Sequence, residues 1–125
     1  MTLTFTAQTT QPKTLNDYTV EDIKNIVALA KAEAYGAAMQ HIDEYGEQAY
    51  CGFAWVNIWN IKGNTKLGKR MKQAGLDKDY TGAYSIWNPS TLGTQCMSTK
   101  EAGARACASV FKKYGFECSA GSRAD

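Results

Sequence analysis

Cys51–Lys72 reads CGFAWVNIWNIKGNTKLGKRMK, and it changes period halfway along. From Tyr50 to Trp59, Cys51, Phe53, Trp55, Asn57 and Trp59 fall on one side, and Gly52, Ala54, Val56 and Ile58 on the other. A period of two marks a strand whose faces meet different surroundings. The small and β-branched face suits packing under a helix. The other face is aromatic and carries Asn57, whose amide would cost about 2 kcal/mol or more if buried without partners. It therefore reads as facing solvent or a ligand; the competing reading is a second core layer in which another helix covers Phe53 and Trp55. Past Gly63, Leu67 and Met71 stand four apart, so a helix begins at Asn64 or Thr65 and closes at Gly75.

Upstream, Thr19 is an N-cap with Glu21 and Asp22 in the first turn, where acids suit the helix dipole. The stripe Ile23, Ile26, Val27, Ala30, Ala34, Ala38, Ile42 predicts about 27 helical residues ending at Gly46. Its alanines allow a close partner, and His41 near its end reads as a packed side chain. Residues 1–17 read as a tail or an edge strand, from the alternation Thr2-Leu3-Thr4-Phe5-Thr6. Downstream, Asp77–Pro89 is a polar turn and a second strand, with Tyr84, Ile86 and Asn88 on one face and Ala83, Ser85 and Trp87 on the other. Pro89 ends it. Ser98-Thr99-Lys100-Glu101 predicts a capping box for the last helix, with the stripe Gly103, Ala106, Cys107, Val110, Phe111, Tyr114. Gly115 closes that helix, and Phe116–Ala120 reads as a short third strand. The order predicts one α+β domain over residues 18–125: a two-layer sandwich with a small, mostly antiparallel sheet against a long N-terminal and a C-terminal helix.

Gly63-Asn64-Thr65-Lys66-Leu67-Gly68-Lys69-Arg70 nearly matches the phosphate loop GxxxxGK[ST]. Arg70 replaces the magnesium-binding hydroxyl, Leu67 and Met71 show that the helix has already begun, and no later strand supplies the metal's acid. A nucleotide triphosphatase is set aside. What remains is a helix N-terminus, which binds anions through free N–H groups, within Lys62–Lys72, where five residues of eleven are basic and none acidic. The net charge of +2 divides unevenly: residues 1–47 hold three Lys against seven acids, and residues 48–125 eleven Lys/Arg against five. Such a basic half is a solvated face or a place where an anion docks.

Other chemistry is thinly represented. Cys51, Cys96, Cys107 and Cys118 form no CxxC pair, and one His with scattered Cys does not make a zinc set. An enzyme would have to draw on Cys51, Cys96 or Cys118 with His41, or on Asp79 or Glu101, and no spacing ties these together. No apolar run approaches the roughly 20 residues that span a bilayer, and MTLTFTAQTTQPKT lacks the pattern of a secretory signal. The expectation is a cytoplasmic protein with thiols rather than disulfides, no cofactor and no membrane partner.

CGFAWVNI, GNTKLGK, DYTGAYSIWNPS, KEAGA and the terminal GSRAD together resemble a family of small proteins encoded by tailed bacteriophages, over about residues 48–125. The resemblance implies an accessory protein in the cytoplasm of a host cell and transfers no reaction or site residue. From the residues themselves, the expected function is non-catalytic binding of an anionic, nucleotide-like small molecule, such as a host signalling nucleotide that the protein sequesters. Trp55, Trp59 and Trp87 would stack on the base beside Asn57. Asn64, Thr65, Lys66, Lys69 and Arg70 would take the phosphates, with Arg123 as a second clamp. For this to work, tryptophans and cations must share one hollow. A single-stranded nucleic-acid binder and a protein–protein inhibitor of a host enzyme are the alternatives, and a site so open on a small chain would suit completion by a second copy.

Overall fold

Thr19 and Asp22 do start the first helix: Thr19 Oγ1 accepts from the Asp22 amide at 3.1 Å, and the Asp22 carboxylate accepts from the Thr19 amide at 3.0 Å. The fold is that of a computed structural model, which describes residues 14–47 and 50–124. The alternating run Thr2–Thr6 lies outside the described residues. A 3-10 turn at Leu15–Asp17 leads into α1, Val20–Tyr45, which ends at Gly46 with a φ of 68°. There follow β1 (Gly52–Ile58), α2 (Lys66–Gln73), β2 (Asp77–Lys78), β3 (Tyr84–Trp87), α3 (Met97–Lys113) and β4 (Cys118–Ala124).

The four strands form one antiparallel sheet in the order β2-β3-β1-β4. Register follows the alternation read from the sequence. Val56 pairs with Ile86 and Ala120, with Val56 and Ile86 buried and Ala120 exposed, and Trp55 pairs with Trp87 and Gly121 on the other side. α3 lies along β1 and β4, and α1 packs on α3. Ile23, Ile26, Ala30 and Ala34 of α1 join Ala54, Val56 and Ile58 of β1 and Phe111 of α3 in one core. Each large side chain buried there contributes about 1.5–3 kcal/mol. The two helices approach closely because Gly103 has no side chain: a Cβ there would lie 3.2 Å from the Ala34 carbonyl and 2.8 Å from Ser90 Cβ. The result is the expected small α+β domain.

Three expectations are corrected. α3 begins at Met97 with Cys96 as N-cap and no side-chain cap bond, so the box Ser98–Glu101 does not form. Backbone bonds from Gly52 N to Gln95 O and from Met97 N to Tyr50 O draw the chain onto the start of β1, which begins the helix early. Glu101 instead accepts a 2.5 Å bond from Ser122 Oγ on β4. The last strand is Cys118–Ala124 rather than Phe116–Ala120, because β1 offers its whole length for pairing. Asp77–Lys78, read as turn, is a two-residue edge strand on β3.

No helix covers the second face of the sheet among the described residues, so Phe53 and Trp55 do not fill a second core layer. That face is half-buried along β1 by its own neighbours and exposed at Trp87. Among the described residues, no helix is long and apolar enough to cross a membrane.

Candidate functional site

α2 is built from its cap. Thr65 Oγ1 accepts from the Gly68 amide at 3.0 Å and donates to the Lys62 carbonyl at 2.6 Å, folding the Gly63–Thr65 turn under the helix. Leu67 and Met71 anchor the other side of α2 in the core. Gly68 fits tightly: a Cβ there would be 2.2 Å from Lys62 O. Its own carbonyl accepts from the Tyr84 hydroxyl at 3.1 Å, which ties α2 to β3. Tyr84 is buried, and desolvation raises its phenol above the usual value of 10.0, so the hydroxyl stays a neutral donor.

Between α2 and the β2 edge this leaves a hollow of about 650 Å³, lined by Gly63, Gly68, Lys69, Lys72, Leu76, Asp77, Lys78 and Tyr84. The Lys78 ammonium sits 5.3 Å from the centre of the Tyr84 ring and 3.7 Å from where a Gly63 Cβ would be. Three lysines thus line one hollow, with Asp77 at its β2 edge. Charge-assisted bonds from such ammoniums are the stronger kind of hydrogen bond.

The residues expected to form one site divide between two sides of the sheet. Lys69 lines the hollow. Asn64 and Lys66 are exposed at the start of α2, and Thr65 is engaged in its cap. Arg70 turns away: its Nη1 donates to the Asn16 carbonyl at 2.9 Å and the Tyr18 carbonyl at 3.1 Å. Trp55, Asn57, Trp59, Trp87 and Arg123 belong to the open sheet face. There Trp55 and Trp87 lie 5.0 Å apart, Trp59 Nε1 donates to Ser119 Oγ at 3.2 Å, and the Arg123 guanidinium lies 5.7 Å from the Phe53 ring. The hollow shared by tryptophans and cations is therefore not present; α2 packs on the helical side, whereas the indoles face outward. Sequence reasoning missed Lys78 and Tyr84, and it placed Lys72 in the basic run without assigning it to the site. A two-residue edge strand leaves no pattern, so nothing marked Lys78 as a neighbour of Lys69.

A smaller hollow of about 320 Å³ is lined by His41, Tyr45, Tyr50, Met97, Ser98 and Glu101. His41 Nδ1 lies 3.4 Å from Thr99 Oγ1 and its ring 4.8 Å from Tyr45, while Glu101 is held by Ser122. The thiols offer little beside it. Cys118 Sγ donates to the Ala108 carbonyl at 3.3 Å, and burial raises its thiol. Among the described residues, no three of His, Cys, Asp and Glu are grouped so as to hold a metal ion. Comparison of the chain with protein-family models, curated proteins and solved structures finds no match.

Proposed function

We propose that this chain is a non-catalytic binding protein for a small anionic molecule, taken by its phosphate or carboxylate groups into the hollow between α2 and β2. The carrying observation is the convergence of Lys69, Lys72 and Lys78 on a single cavity of about 650 Å³, within the range of about 300–1,000 Å³ usual for small-molecule sites. Gly63 puts no side chain into the wall beside the Lys78 ammonium, so a ligand reaches the backbone of the capped turn there, while Gly68 lets that turn pack against α2. The neutral Tyr84 hydroxyl and the Lys78 ammonium above its ring fix the floor.

A nucleotide-like ligand fits this reading through its phosphates alone, because Trp55 and Trp87 stand on the far side of the sheet and add no stacking. The resemblance to phage-encoded proteins fits an accessory role, and the chemistry of the hollow would make that role the sequestering of a host signalling nucleotide or another anionic metabolite. Such a role asks only for affinity, and binding through ammoniums at the surface weakens as salt rises.

Isothermal titration of the purified protein at low ionic strength, with adenosine 5′-monophosphate, adenosine and inorganic pyrophosphate in turn, tests this. The phosphate-bearing probes should bind and adenosine should not. Lys69→Ala and Lys72→Ala should each weaken binding about tenfold, the loss of one charge-assisted bond. Lys112→Ala/Lys113→Ala, at the end of α3, should leave it unchanged. Phosphate binding that survives removal of all three lysines of the hollow, or no binding of either phosphate probe, rejects the proposal.

A further inference from the structure

The open sheet face has a composition that the hollow does not explain. Phe53, Trp87 and Trp55 form a continuous patch, with Trp87 6.3 Å from the first ring and 5.0 Å from the second. Trp87 is 57% exposed. Trp55 lies over Gly121, where a Cβ would come within 2.7 Å of its Nε1, so a flat indole covers the middle of the sheet. Asn57 stands in the same row, and its Oδ1 is buried without a hydrogen-bond partner.

Charge on this face is polar along the strands. At one end the exposed Arg123 guanidinium lies 5.7 Å from the Phe53 ring. At the other end are two carboxylates. Asp77 pairs with Ser85, on the same side as Asn57. Glu117 gives its carbonyl to Trp59 N at 2.8 Å, one step beyond the Ile58–Cys118 pair, and so shares the parity of Ser119 and Arg123.

From this we infer that the face pairs two copies of the chain, sheet against sheet, about a twofold axis lying across the strands. Arg123 and Glu117 stand on the same strand line six residues apart, about 20 Å, with Ala120 midway between them. A twofold centred on Ala120 and its partner Val56 lays the Arg123 of each copy over the Glu117 of the other, and one operation pairs both ends. That is the self-complementarity an isologous interface requires. The same operation brings Trp55 of one copy over Asn57 of the other. Trp and Arg are the side chains that carry such interfaces. A nucleic acid fits the face less well, since Asp77 and Glu117 repel phosphates at the end where Trp59 stands.

The footprint, about 20 Å by about 15 Å across three strands, falls below the roughly 800 Å² per partner of a standard stable interface. The pair is therefore weak and dependent on concentration.

Sedimentation velocity of the full chain from about 1 µM to about 1 mM should show a monomer–dimer equilibrium with a dissociation constant of about 10–100 µM. Arg123→Glu alone and Glu117→Arg alone should each weaken it about tenfold or more, and the double reversal should restore it. Trp87→Ala should weaken it with the charges intact. Both reversals are at exposed positions, and circular dichroism checks that each variant keeps its fold. A monomer at every concentration, a dimer indifferent to the single reversals, or a double reversal no better than the singles overturns the inference. So does quenching of tryptophan fluorescence by a thymidine oligonucleotide bound to the monomer through Trp87.

Discussion

Cys51 and Cys96 face each other as bridge partners, and the hydrogen bonds around them belong to their neighbours: Gly52 N to Gln95 O and Met97 N to Tyr50 O. They are thus a non-hydrogen-bonded antiparallel pair, whose Cα atoms lie about 4.5 Å apart, within the span of a disulfide. All four cysteines are thiols in this structure. Treatment with diamide should oxidise this pair, two thiols giving up two protons and two electrons to the diazene, and peptide mapping should find Cys51 joined to Cys96. Cys107 behaves oppositely. Burial, then the neighbouring Cys118, pushes its thiol up to about 12 against a smaller opposing effect of Lys31, so it carries no thiolate near neutrality. Iodoacetamide at about pH 8 should leave Cys107 unlabelled until the protein unfolds; a bridge mapped to Cys107, or its rapid labelling, contradicts the packing described. Asp79 gives a second test at this scale. The Thr81 hydroxyl at 2.5 Å is the main cause holding its carboxyl below the usual 3.8; desolvation, the next effect in size, opposes it, and the Thr81, Ala83 and Gly82 amides add smaller lowering effects. A depressed acid stabilises the β2–β3 turn above its unfolded value and stops doing so as pH falls through the folded one. The carboxyl resonance of Asp79 should therefore titrate below 3.8 and move back toward it in Thr81→Val.

At the scale of single elements, α2 tests what a motif can and cannot say. The eight letters from Gly63 to Arg70 predict a helix start at Asn64 or Thr65, and Thr65 is the cap. Legibility was good because a hydroxyl, a glycine and an i,i+4 apolar pair act locally. Thr65→Ala removes the bonds to Gly68 N and Lys62 O, and should cost about 1 kcal/mol in urea denaturation; Thr65→Ser keeps the oxygen and should cost much less. Equal losses for the two would show that the methyl, not the cap, matters. The start of α3 was not legible for the converse reason. Ser98 and Glu101 have the right letters and spacing, but Lys100 is drawn inward to the Gly52 carbonyl at 3.0 Å and Glu101 to Ser122. Bonds to a distant strand outweigh a local cap, and a local pattern cannot report them. β4 repeats the lesson: CSAGSRA is poor in strand formers, and its length comes from the partner it meets.

At the scale of the molecule, the alternation in β1 was enough to tell the sheet's two faces apart, and the stripes of α1 and α3 named much of the core, though Tyr114 on the α3 stripe is exposed and Ala104 and Ala108 beside it are buried. What could not be read was how the cations divide, because that depends on which side of the sheet α2 packs. Lys69 and Arg70 are adjacent letters with opposite employment. Arg70 joins α2 to the Asn16 and Tyr18 carbonyls. Tyr18 in turn donates to the Tyr114 carbonyl at 2.8 Å and stacks on Phe116 at 5.9 Å. The guanidinium thus closes a chain of contacts from the N-terminal turn through α2 to the end of α3 and the approach to β4. Removing it in Arg70→Ala leaves two carbonyls without that donor, at a cost of about 1–3 kcal/mol, which for a chain of this size lowers the melting temperature by about 4–15 °C. Binding of adenosine 5′-monophosphate at a temperature where the variant is folded should persist. Lys69→Ala should do the reverse, keeping the melting temperature within about 2 °C, since an exposed surface change alters stability by roughly 0.5 kcal/mol or less, while binding falls. Calorimetric melting and titration of both variants read the two effects separately. If Arg70→Ala abolishes phosphate binding without lowering the melting temperature, then Arg70 serves the ligand, and α2 is held to the N-terminal turn by something other than this side chain.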